Sequence, residues 1–111
     1  MRALVLLLAL TAPAAAQDQW ADVRAAIMAY GCGTCHVIPD VPGANGVTGP
    51  PLTRMREQAY VAGVLPNMPE ALTSFIVDPQ AIDPRSAMPD LGVTADEAAR
   101  MAAFLIEVSG E

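Results

Sequence analysis

The chain has no lysine, a single histidine (His36) and only two cysteines (Cys32 and Cys35) in 111 residues. Six arginines face twelve acids, for a formal net charge of −6. That balance argues against nucleic acid or an anionic lipid surface as partner, since both are bound through clustered cations. It fits either a merely soluble surface or approach to a basic patch on another protein. Aromatic residues are scarce too, and Trp20, Tyr30, Tyr60, Phe75 and Phe104 are all there are. Spread among many Ala, Gly and Pro residues, they make a thin supply for a core. The one long apolar run lies at the amino end and is too short to span a bilayer. The length leaves room for one domain.

That amino end has one positive charge at Arg2, then the apolar run, then small residues ending Ala14-Ala15-Ala16. This is the pattern of a secretory signal peptide, residues 1–16, with an A-x-A cleavage site. An uncleaved anchor is the alternative. No cysteine lies near the cleavage point to take a lipid. Cleavage after Ala16 is expected to leave residues 17–111 as a single mature domain, with five arginines against twelve acids and a formal charge of −7.

Both cysteines and the only histidine fall in one run, Cys32-Gly33-Thr34-Cys35-His36. In a secreted chain, C-x-x-C-H is the spacing of covalent c-type haem attachment. Two thiols one helical turn apart can each add to a vinyl group of one porphyrin, while the adjacent imidazole is brought against the iron. Other uses stand beside this one. A structural zinc site takes four ligands, and the chain offers three soft or borderline donors with only carboxylates to complete them. A thioredoxin-like dithiol sits among β-branched strands that the chain lacks, and a plain structural disulfide is the remaining use. Ligand count and context put haem first. A buried porphyrin would also fill the thin core, so the chain without it is expected to pack poorly.

From Asp18 to Tyr30 the pattern is helical, with Asp18 or Asp22 as cap and Val23, Ala26, Ile27 and Tyr30 at three- and four-residue steps. Gly31 loosens the end, and Cys32 to His36 forms a further turn. Val37 to Leu52 is thick with turn residues, Pro39-Asp40, Pro42-Gly43, Asn45-Gly46 and Gly49-Pro50-Pro51, so no helix or strand persists there. An iron-bound histidine needs its other ring nitrogen held by an acceptor. The carbonyl of Pro50 is the candidate, a simple loop stiffener the alternative. Thr53 to Ala62 is a short helix or irregular turn, in which Arg54, Arg56 and Tyr60 are either donors to haem propionates or solvated surface groups.

Further on, Asn67 as N-cap, Pro69 in the first turn and Glu70 three after the cap predict a helix through Leu72, Phe75 and Ile76. It stops by Asp78, because Pro79 follows. A turn-rich link leads through Asp83-Pro84-Arg85 to Ser86-Ala87-Met88-Pro89-Asp90. Thr94, with Glu97 three residues later, caps a last helix whose apolar stripe is Ala98, Met101, Ala102, Leu105 and Val108.

With one histidine, the far side of an iron falls to methionine, water or nothing. Met28 precedes the motif on its own helix, and past the motif stand Met55, Met68, Met88 and Met101. Met101 belongs to the last helix's stripe and Met68 to a helix's first turn. Met88 sits in an extended loop that Pro89 keeps out of any helix, and such a loop can pass across the far face of the ring. It is the candidate ligand.

With the C-x-x-C-H run, Gly49-Pro50, and Met88-Pro89 ahead of a final helix bearing Phe104, residues 17–111 resemble the class I c-type cytochromes, in particular small bacterial periplasmic ones. The stretch from Gly63-Val64-Leu65-Pro66-Asn67 through Pro69-Glu70 to Asp78-Pro79-Gln80 and Ala87-Met88-Pro89 is similar to the cytochrome c modules of terminal oxidases and other respiratory chains. The resemblance implies an all-α cytochrome c fold, three to four helices with long Pro/Gly-rich loops around one covalent haem. First and last helices would cross near it, Ala25, Ala26 and Ile27 meeting Met101 and Phe104. Cys32 and Cys35 would carry one haem c, with iron between His36 and Met88 and Pro50 behind the histidine.

The function implied is that of a one-electron carrier, not an enzyme, working between respiratory redox proteins in the periplasm. It would be a monomer or a subunit of a redox complex, with no nucleic-acid partner and no membrane insertion after signal cleavage. Its rivals are a haem enzyme or sensor in which a small ligand or peroxide displaces Met88, and a subunit fixed permanently in a larger redox complex. One departure is plain. The family's animal members are basic and lysine-rich around the haem edge, so their partners and docking face do not carry over to this acidic chain.

Overall fold

The computed structural model describes residues 4–5 and 18–108, and the expected signal peptide lies outside the described residues save for those first two. Four helices carry the described fold: α1 (Ala21–Ala29), α2 (Pro69–Val77), the single turn α3 (Pro79–Ile82) and α4 (Ala95–Val108). No described helix is long and apolar enough to cross a membrane.

The last helix organises the rest. Ala98, Met101, Ala102, Phe104, Leu105 and Val108 are all buried, a stripe recurring every three or four residues. Thr94 opens the helix: its hydroxyl accepts from the Glu97 N–H at 3.2 Å and donates to Glu97 Oε1 at 3.0 Å. α4 packs most extensively on α2, through Leu72, Phe75 and Ile76, and also on α1, through Val23 and Ile27. The small Ala98 and Ala102, wholly removed from solvent, let neighbouring backbones come close. Phe104 is likewise fully enclosed, and the edge of Trp20 meets its ring with centroids 5.6 Å apart. Burial of such a side chain stabilises the fold by about 1.5–3 kcal/mol. Over this contact, Arg100 stacks on Trp20 at 5.2 Å and pairs with Asp22 at 2.7 Å, bonding the start of α1 to α4.

Neither expected aspartate caps α1. Trp20 holds the N-cap position without a side-chain bond, because the chain turns just before it: Asp18 Oδ1 accepts from the Trp20 N–H at 3.1 Å. Asp22 is drawn to Arg100 instead. Asn67 also departs from expectation. Its N–H bonds to Ala59 O at 3.0 Å, and its side-chain Nδ2 donates to Met55 O at 2.5 Å and Gln58 O at 2.9 Å. The amide thus ties down the 3₁₀ turn Met55–Glu57, its Oδ1 is buried without a partner, and the extended residue Met68 precedes α2 in its place.

Two elements add to the expected order. The segment read as a turn-rich link begins with α3, because Asp78-Pro79 is a helix start: Asp78 Oδ1 accepts from the Ala81 N–H at 3.2 Å and Pro79 takes the first helical position. The expectation of an all-α chain gives way to a mostly helical one with a small antiparallel hairpin, β1 (Tyr60–Val61) and β2 (Leu65–Pro66), which pairs Tyr60 with Pro66 and Val61 with Leu65. Its turn places Ala62 at φ 51° and Gly63 at φ 72°, with the Val64 N–H on Val61 O at 2.9 Å. An alanine stands where Asn or Asp is usual in such turns, which hides the hairpin from pattern reading.

Candidate functional site

α1 ends at Tyr30, and Gly31 turns the chain through the left-handed region at φ 75°. A residue with a Cβ would be strained there. The 3₁₀ turn Cys32–Thr34 follows, closed by the Thr34 N–H on Gly31 O at 3.0 Å and the His36 N–H on Cys32 O at 3.1 Å. Cys32, Cys35 and His36 therefore leave one tight turn, all three half-buried.

Both cysteines are free thiols. Burial pushes the Cys32 thiol up; a backbone hydrogen bond partly offsets this, and the neighbouring Cys35 adds a lesser push upward. A redox dithiol needs its attacking thiol lowered. The first cysteine here is shifted the other way. Nor do the donors gather as for a bare metal ion: among the described residues no three His, Cys, Asp or Glu side chains cluster to hold one. A cofactor that brings most of its own metal donors would need from the chain one imidazole and two thiols, and the turn carries His36, Cys32 and Cys35.

The loop from Val37 to Leu52 is laid on this turn by backbone bonds. Gly46 N–H donates to Gly33 O at 3.0 Å, Gly49 N–H to Cys35 O at 2.7 Å and Leu52 N–H to Val37 O at 2.8 Å. Within it, Val37 and Asn45 make a lone antiparallel bridge. The glycines are needed for close approach. A Cβ on Gly33 would stand 2.8 Å from the Ala44 Cα, and one on Gly49 would stand 2.5 Å from His36 Cε1 and 2.8 Å from Nδ1. Gly49 therefore lies flat against the imidazole.

The same loop brings the Pro50 carbonyl to 2.7 Å from His36 Nδ1. A carbonyl can only accept, so Nδ1 must carry the proton in this contact. In the neutral ring Nε2 is then left with its lone pair, the form in which an imidazole binds a metal. Pro50 thus fixes both the tautomer and the tilt of the ring.

Met88 stands at a bend in the loop after α3, half-buried and packed against the core. Its N–H donates to Ser86 Oγ at 3.2 Å and its carbonyl accepts from Gln80 Nε2, which also donates to Ser86 O at 3.2 Å. Of the other methionines, Met55 and Met101 are core, while Met68 is 58% exposed and Met28 is exposed on α1. The candidate propionate donors Arg54, Arg56 and Tyr60 are all exposed. Arg54 is 73% exposed and pairs with Glu57 at 3.2 Å, and Tyr60 is exposed. Arg56 binds the carboxyl end of α4, donating to Ile106 O at 3.2 Å and Glu107 O at 2.9 Å.

Gly49 and Gln80, which the sequence names only within the runs that carry the resemblance, are given a role of their own by the structure. Gly49 is signalled by its place in Gly-Pro-Pro beside the only histidine's acceptor; Gln80 has no signal beyond its position after Asp-Pro. Compared with family models, with curated proteins and with solved structures, the chain finds no match in any of the three.

Proposed function

We propose that the chain is a small cytochrome of the class I c type, which carries single electrons on one covalently bound haem. The observation that supports this best is the hydrogen bond from His36 Nδ1 to the Pro50 carbonyl, because it leaves Nε2 as a metal donor in a ring already held in place. The free thiols of Cys32 and Cys35 on the same turn supply the two attachment points. Bound there, haem supplies one-electron exchange between ferric and ferrous iron.

The chain's own contributions follow from the placement of its side chains. His36 would hold the iron through Nε2, while Gly49 keeps any side chain from the flank of its ring. Met88, in the clamped segment past α3, is the candidate for the other side, where a soft thioether favours the ferrous state and raises the potential. Partners are redox proteins with a basic contact surface, and the site of action is the periplasm, reached through the amino-terminal signal. The charge balance supports the choice of partner: six arginines against twelve acids leave the chain net negative, which would steer it toward a positive surface.

The test is a spectrum of the purified protein, oxidised and reduced, with a denaturing haem stain. Covalent haem that survives denaturation and is lost in a Cys32→Ala, Cys35→Ala double variant is the expected result. Met88→Ala should abolish the weak far-red absorption of thioether-bound ferric haem and lower the potential. Absence of covalent haem from the intact protein, expressed with a haem-attachment system, refutes the proposal. Loss of the far-red band in Met68→Ala but not Met88→Ala refutes the ligand assignment alone.

A further inference from the structure

We infer that Gln80 is the residue that holds Met88 in place, and that its two hydrogen bonds set how readily an outside ligand can take the position of Met88 at the iron. The inference rests on the reading of Met88 as an axial ligand.

Gln80 is mounted rigidly. It follows Pro79, one of the largest fully buried side chains among the described residues, in a helical turn that Asp78 caps and that packs on α2. From this mount its amide reaches six and eight residues along the chain, sending one N–H to Ser86 O at 3.2 Å and another to Met88 O. Met88 N–H in turn donates to Ser86 Oγ. Both main-chain polar groups of Met88 are therefore held, and the carbonyl is held by a side chain from another element.

The loop supplies few donors of its own. Pro84 and Pro89, which bound the segment, lack an N–H, and the Met88 N–H is spent on Ser86 Oγ. Arg85 N–H and Ser86 N–H are turned back onto Asp83, at 3.1 and 2.9 Å. That leaves Gln80 as the donor that ties the Met88 carbonyl to the helical body. For an outside ligand to enter, Met88 must move away, and the free energy of that movement includes the bonds to Gln80. Removing them raises the fraction of molecules with Met88 displaced, and the apparent affinity for an outside ligand rises by the same factor. For hydrogen bonds of ordinary net strength that factor is about tenfold. Gln80 acts only through Met88 and is a positioning residue.

The experiment titrates imidazole into the haem-loaded ferric protein and follows the far-red band and the Soret maximum. Gln80→Met keeps the length of the side chain and removes its donors; Gln80→Glu keeps its shape and turns a carboxylate toward two carbonyls. Both are expected to bind imidazole about tenfold more tightly than the parent, with a weakened far-red band before any imidazole is added. Ser86→Ala, which removes only the acceptor of the Met88 N–H, tests the same clamp from its other bond and should shift affinity in the same direction by less. A role confined to general stability would lower the unfolding midpoint and leave imidazole affinity where it was. Imidazole affinity within twofold of the parent in Gln80→Met and Ser86→Ala alike, with the far-red band intact, overturns the inference while the cytochrome reading stands. A parent protein with covalent haem but no far-red band removes Met88 as ligand and takes this inference with it.

Discussion

Tyr30 donates its hydroxyl hydrogen to Glu97 Oε1 at 2.7 Å, joining two residues 67 positions apart in the chain. Tyr30 is the last residue before Gly31 and the C-x-x-C-H turn, and Glu97 lies in the first turn of α4. The bond pins the entrance of the candidate site to the helix that organises the core. It also marks both groups electrically: the hydrogen bond to Glu97 holds the Tyr30 phenol above its ordinary range, and the bonds from Tyr30 and then Thr94 hold the Glu97 carboxyl below its own.

The sign of each shift sets a pH window for Tyr30→Phe. A carboxyl depressed in the folded state adds stability above its unfolded value of 4.5 and loses it as pH falls through the folded value. A phenol raised in the folded state adds stability below its unfolded value of 10.0 and loses it as pH rises through the folded value. The stability difference between parent and Tyr30→Phe is therefore expected to be flat from about pH 4.5 to pH 10 and to shrink beyond either end. Thermal unfolding of both proteins across pH 3–11 measures it, and a difference that stays constant throughout would rule out this bond as the cause.

Gly49→Ala should disturb the imidazole directly. The new Cβ would fall 2.5 Å from His36 Cε1, so either the ring or the loop must move and the contact with Pro50 loosens. Overpacking of this kind costs about 1–3 kcal/mol. Beyond that loss, the variant is expected to show a shifted Soret maximum in the loaded protein. Gly43→Ala makes the control, since no atom lies within 4 Å of its added Cβ, although its left-handed φ of 76° carries a backbone cost. An unchanged Soret maximum in Gly49→Ala would contradict the packing of Gly49 on the ring.

Arg56→Met keeps an aliphatic stem and removes the guanidinium that closes the end of α4 on Ile106 O and Glu107 O. A cation at a helix carboxyl terminus and its hydrogen bonds together contribute about 1 kcal/mol. The expected result is a loss of that order in chemical unfolding, reduced by added salt, with the haem spectrum unaltered. A changed spectrum would show that Arg56 also acts on the haem's surroundings.

Phe104→Ala empties a fully buried site at the meeting of α1 and α4. Such truncations cost about 3–5 kcal/mol. Because the only tryptophan touches this ring edge-on, intrinsic fluorescence should change in the native baseline as well as in the unfolding midpoint. A native emission spectrum identical to the parent's would show that Trp20 does not rest on Phe104.

What the sequence makes legible here is whatever extends over several turns or depends on one chemical need. The stripe of α4 repeats through Ala98, Met101, Ala102, Leu105 and Val108, and Thr94 with Glu97 announces its start. A rigid carbonyl acceptor for the single histidine can be sought in Gly49-Pro50-Pro51, since turn density already confines the loop. Short elements escape. α3 is one turn long and the hairpin strands two residues each, too few for any period to show. Asn67 satisfies every local rule for a cap and is nonetheless engaged by the carbonyls of Met55 and Gln58, which only the folded chain brings near. Gln80 is missed for the same reason, because its partners lie round a bend and carry no pattern.

The loop that lies under His36 has a consequence for timing. The backbone bonds that seat it, Gly46 to Gly33, Gly49 to Cys35 and Leu52 to Val37, and the contact of His36 with Pro50 close within the segment from Gly33 to Leu52, and Arg24, which holds Asp40, comes from the earlier helix α1. Closing a loop of such length takes on the order of 100 ns, whereas a ribosome adds about 5–20 residues per second. The bed of the imidazole can thus be sampled many times over while α4, 43 or more positions further on, has yet to be made. The two thiols and the oriented histidine can be presented to whatever first handles this chain before its core exists, and the helices then close around a site already drawn.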